Sequence, residues 1–139
     1  MLARVTLRRT VIPDWHELLA AFCGHIGEQP GTHPVTRCAF ALAQLHLVSQ
    51  GHPQHAGEID GVRAELIADI DEWVRRNVPR AAQRRGSFGT AVDRMAAAQV
   101  HASTVLRTAA SASDERVHTA WHRLATLADA WNDRIHGLA

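Results

Sequence analysis

From residue 15 onward, apolar residues recur three and four positions apart, the spacing that puts them on one face of an α-helix. Five such runs are separated by proline, glycine and serine. The first begins after Pro13. Asp14 is a good N-cap with Glu17 three residues later, and Trp15, Leu18, Leu19, Phe22 and Ile26 share a face. It should end near Gly24 or Gly27, before the turn-forming EQPGTHP. The second starts around Thr32 to Pro34, with proline tolerated in the first turn, and carries Val35, Cys38, Leu42, Leu45 and Val48. The third runs from about Pro53 to Asn77, with the stripe Ile59, Val62, Leu66, Ile70 and Trp73, and stops at Pro79. The fourth is expected to open at Thr90 as N-cap, and Val92, Met95, Ala96, Val100, Ser103 and Leu106 trace a face rich in small residues. The fifth begins near Ser113, with Asp114 and Glu115 suited to the positive end of the helix dipole. Its stripe of Val117, Trp121, Leu124, Ala128, Trp131, Ile135 and Leu138 alternates steps of four and three, an a/d heptad pattern.

These runs predict an all-α fold: a bundle of four long helices plus a short N-terminal helix. Residues 1–12 alternate only loosely, and a lone strand would have nothing to pair with, so they are expected to form an extended arm. Residues 13–139 then form a single domain, a length that buries a core without disulfides or metal. An apolar face larger than the monomer can cover would serve as a homodimer interface, and the fourth and fifth helices are the candidates.

Composition changes this picture little. The net charge of +1 gives no general attraction to nucleic acid or anionic lipid. All fifteen basic residues are arginine, a bias consistent with a GC-rich genome. Cys23 and Cys38 fall in apolar helical runs and have neither disulfide-framework nor metal half-site spacing, which favours a reducing, cytoplasmic setting. No stretch reaches transmembrane length, and the N-terminus lacks the apolar core of a signal peptide.

Candidate chemistry is sparse. Five arginines fall between positions 75 and 85, and Arg80, Arg84 and Arg85 lie in the linker before the turn GSFG. With Arg63 they could hold a small anion or an acidic protein surface. Phe88 is the only aromatic residue beside the linker and no helix-turn-helix signature accompanies it, so nucleic acid is not the expected partner. Asp93 and Arg94 sit near the start of the fourth helix, where Asp93 is expected to act as a cap. A second reading makes Asp93 part of a hydrolase or transferase cleft with Glu65, Asp69 and nearby histidine or arginine, although no nucleophile motif supports it. A third uses His118 and His122, which have the i, i+4 spacing that can chelate a divalent ion but no third ligand beside them. Neither a metal nor a cofactor is expected.

The order of local patterns resembles the DUF4254 family of bacterial proteins in its shorter actinobacterial form. The resemblance rests on PDWHELLAAF (13–22), HPVTRCAFALAQLH (33–46), EIDGVRAELIADIDEWV (58–74), SFGTAVDRMA (87–96) and VHTAWHRLATLADAWNDRI (117–135). Asp93 and Arg94 match a family motif at a helix start. Where longer members carry Trp-His-x-Glu-Asp, this chain has QLHLVSQGHP, with His46 as the one match. The resemblance implies a helical bundle in a bacterial cytoplasm and implies no reaction. The expected function is that of a dimerising protein that binds a partner or a small anion.

Overall fold

The computed structural model describes residues 12–78, 86–111 and 113–136. Among these residues are five α-helices: α1 (Trp15–Phe22), α2 (Pro34–Gly51), α3 (Ala56–Asn77), α4 (Phe88–Thr108) and α5 (Glu115–His136). The last four have 18, 22, 21 and 22 residues and α1 has 8, which is the expected bundle of four long helices and one short one. There is no strand among the described residues. The expected arm lies outside them except for its last residue, Ile12, which is buried.

Local chemistry sets most of the boundaries. Asp14 caps α1 by accepting the Glu17 amide at 3.0 Å. Gly24, just past the end of α1, takes a positive φ of 85°, a conformation in which a side chain would be strained. His33 caps α2 through Nδ1, which accepts the Val35 amide at 3.0 Å, and Pro34 occupies the first turn. The third helical run does not begin at Pro53: a 3₁₀ turn at Pro53–His55 comes first, and the α-helix starts at Ala56. The start of α4 also differs from expectation. Its cap is Ser87, not Thr90; Ser87 Oγ accepts the Thr90 amide at 2.9 Å. The same hydroxyl donates to Asp71 Oδ2 at 2.5 Å, and Asp71 Oδ1 accepts the Gly89 amide at 2.9 Å. A carboxylate from α3 therefore completes the cap of α4 and satisfies the Gly89 amide, which the helix cannot pair internally. Asp93 is then too far along the helix to cap it.

Successive long helices run antiparallel. The end of α3 meets the start of α4 through Asp71 and Ser87, and the start of α4 meets the end of α5 through Phe88 and Trp131, whose rings lie edge to face at 5.9 Å. α4 is the hub: it packs against α1, α2, α3 and α5. The main apolar core gathers at one end, where α1 lies across the long helices. It contains Leu18, Phe22, Val35, Ile70, Val92, Met95 and Trp131. Trp131 satisfies its indole N–H on the Pro13 carbonyl at 3.0 Å.

The heptad reading of α5 needs correction. Its buried residues are Val117, Ala120, Leu124, Ala128 and Trp131, in steps of 3, 4, 4 and 3. Those steps still average the heptad's 3.5 residues, and Val117, Leu124, Ala128 and Trp131 are buried as the heptad expects; the departure is at Trp121, whose place on the buried face is taken by Ala120. Trp121 is 37% exposed. Val48, Val62 and Leu106, each assigned to an apolar face from spacing, are likewise exposed, as is Leu47.

Candidate functional site

The polar group with the most internal bonding lies midway along the long helices, where α2, α3 and α4 face one another. Asp93 belongs to the buried part of α4, and its side chain is only 7% exposed. A carboxylate so placed needs partners, because an unpaired buried charge is strongly unfavourable. It has two. Arg63 of α3 approaches fork to fork, with Nε 3.2 Å from Oδ1 and Nη2 2.6 Å from Oδ2. His46 of α2 places Nε2 2.8 Å from Oδ1. Arg63 uses its remaining terminal nitrogen on Asp60, one turn earlier on α3, at 2.8 Å. The side chains of His46 and Arg63 are 16% and 29% exposed.

Burial pushes the Asp93 carboxyl up, but hydrogen bonds from His46 and Arg63 and their charge outweigh it and hold the group at about 2. The hydrogen bond to Asp93 likewise raises Arg63 above the ordinary arginine value, against the opposing effect of burial. Asp93 is therefore an ionised acceptor at neutral pH. It follows that His46 carries a proton on Nε2, since a carboxylate cannot donate. In the neutral imidazole Nδ1 is then the acceptor. The arrangement fixes three helices to one carboxylate. A group held at about 2 is a poor general base near neutrality. An arginine shared between two carboxylates has little left to offer an incoming anion.

The residues singled out in the sequence are distributed as follows. Arg63 and Asp93 come together. Arg94, one position further along α4, is exposed to solvent. Arg80, Arg84 and Arg85 lie outside the described residues. Glu65 and Asp69 are exposed on α3 and take no part in the Asp93 cluster. Asp69 is instead close enough to Cys38 to act on it: burial first, and then the Asp69 charge, push that thiol up to about 11. Such a thiol is inert at neutral pH. His118 and His122 are both exposed, and no group of three metal-ligating side chains occurs among the described residues. Asp60 pairs with Arg63 at the i, i+3 spacing that places both on one face of α3. His46 was marked by the family resemblance, and nothing in the chain's own periodicity pairs it with Asp93.

Comparison with protein-family models, with curated proteins and with solved structures finds no match to this chain.

Proposed function

We propose that this chain acts through self-association, as a homodimer, and that the end of the bundle remote from α1 is its interface. The observation that carries this reading is where the large exposed apolar residues fall. Leu47 and Val48 are near the end of α2, Val62 in the first turns of α3, Leu106 at the end of α4 and Trp121 in the first turns of α5. In an antiparallel bundle all five lie toward one end. The hydrogen bond from Thr104 of α4 to Gln50 of α2, 3.0 Å long, ties two of those helices together there. At the opposite end α1 packs over the long helices. Large apolar residues left exposed toward one end of a bundle are candidates for an interaction site. With a net charge of +1, a second copy meets little electrostatic repulsion. A two-fold contact would also bring each exposed residue against the same patch of its partner.

On this reading the His46–Asp93–Arg63 cluster is architectural. It fixes α2, α3 and α4 beside the interface and performs no reaction. Membership of the DUF4254 family is part of the same proposal, as is a bacterial cytoplasmic setting. It is supported by one geometric coincidence: His46 and Asp93, picked out on separate helices by the resemblance, are hydrogen-bonded to each other. No helix among the described residues is long and apolar enough to cross a membrane.

Sedimentation velocity tests the proposal. The wild-type chain is expected to sediment as a dimer at micromolar concentration. Leu106→Glu and Trp121→Glu should each weaken the dimer by tenfold or more, with helical circular dichroism unchanged, because buried aromatic and apolar anchors dominate interface energies. A wild-type monomer over the whole accessible concentration range would refute it.

A further inference from the structure

The end of the bundle that exposes Leu47, Val48, Val62, Leu106 and Trp121 also exposes histidines. His118, Trp121 and His122 follow the i, i+3, i+4 spacing and share one outward face of α5. His52 and His55 stand in the turn between α2 and α3, shortly after Leu47 and Val48 and just before the helix that carries Val62. Their rings lie 6.1 Å apart. The permanent charges around these histidines are balanced among the described residues of this end. Arg63 holds Asp60 at 2.8 Å, and Arg116 holds Asp114 at 3.1 Å, each within the chain. Glu58, whose carboxylate is 3.8 Å from His55, and Glu115 are matched in number by Arg107 and Arg123. From α2 comes His46, which is already bonded to Asp93 in the interior.

We infer that self-association through this end is switched off by acid: protonation of His52, His55, His118 and His122 makes the face positive on both copies and drives them apart. The inference rests on the dimer proposed above and adds its regulation. Imidazole is the side chain whose charge ordinarily changes between about pH 5 and 8. With neutral imidazoles, two copies of this end meet with balanced charge. A two-fold contact brings the same histidines from both sides, so every proton taken up by one copy is matched by its partner. Like charges held together at a contact that excludes water repel more strongly than in bulk water. Glu58 and Glu115 do not offset them, because Arg107 and Arg123 already do so. The separated chains therefore hold more protons than the dimer, and falling pH favours separation by mass action.

Sedimentation velocity of the whole chain at constant ionic strength tests this, with EDTA present so that loss of a bridging metal cannot imitate the effect of protons. The dimer dissociation constant should rise about tenfold or more from about pH 7.5 to about pH 5.5. That interval lies above the acid transition of Asp93, so helical circular dichroism should stay constant across it. Salt at about 0.5 M should restore much of the affinity at the lower pH, because it screens exposed charge. A variant with all four histidines changed (H52Q, H55Q, H118Q, H122Q) should dimerise equally at both pH values. If it fails to fold, H118Q with H122Q, two exposed changes on α5, should remove about half of the shift on a logarithmic scale. A wild-type dimer of equal affinity at both pH values, or a tighter one in acid, overturns the inference and leaves the dimer standing. A monomer at both pH values overturns the two together. A full pH effect in the folded glutamine variant also overturns the inference.

Discussion

Asp93→Ala is expected to destabilise the protein by about 3 kcal/mol, the lower end of what breaking a buried ion pair costs. The loss has two parts. Arg63 and His46, both largely withdrawn from water, lose the acceptor that compensates for their burial. Arg63 keeps Asp60, so its charge is not left wholly unpaired, and this holds the cost below the upper end of that range. Asp93→Asn preserves shape and one hydrogen-bond acceptor and should cost roughly half as much. Urea denaturation of the three proteins gives the comparison directly. The same carboxylate predicts an acid transition. Its value of about 2 in the folded protein lies below the ordinary 3.8, so its contribution is complete above the ordinary value and is lost as pH falls through that interval. The amount is on the order of 2 kcal/mol. Asp93→Asn, having no proton to take up there, should lose less stability than wild type over the same pH interval. Equal pH slopes for the two proteins would show that the pairing contributes nothing to acid sensitivity.

Gly89→Ala is expected to cost about 2 kcal/mol, even though alanine is the better helix former by about 1 kcal/mol. A Cβ at this position would sit 2.3 Å from the backbone carbonyl oxygen of Ile67 and 2.9 Å from its Cα. Neither atom can swing aside as a side chain can. α4 would have to retreat from α3, and this would strain the bond from the Gly89 amide to Asp71. Gly61→Ala is the control. That glycine lies within α3 with nothing within 4 Å of the added carbon, so the substitution should stabilise by up to about 1 kcal/mol. Opposite signs in the two melting curves would establish close helix approach, and not helix propensity, as the reason for glycine at 89.

Helix number, order and approximate limits were legible in the sequence because capping residues and prolines act locally. Asp14, Pro34 and the break after Gly51 needed no knowledge of the fold. The cap of α4 was harder to find. Thr90 and Ser87 are both capping residues by type, and the choice between them depends on Asp71, which reaches Ser87 and Gly89 from another helix. Spacing also overstated burial. Val62 and Trp121 fit apolar stripes by spacing, yet both are exposed while Ile59, Val117 and Ala120 at the same end are buried. Asp93 and Arg63 were each picked out, though as a cap and as an anion ligand. Only the packing of α3 on α4 shows that they neutralise each other.

The hub position of α4 also bears on how changes in this protein combine. Its buried residues include Val92, Asp93, Met95, Ala98 and Val100, which spread around most of the helix circumference and leave to Arg94 and His101 a narrow outward strip. Substitutions on helices that each pack on α4, such as α3 and α5, therefore share an intermediary. Their energetic effects should fail to add whenever both shift α4, so double-mutant cycles between those two helices would report an indirect coupling. A chain built this way can drift freely on the outer surfaces of its peripheral helices, while its centre can change only in concert.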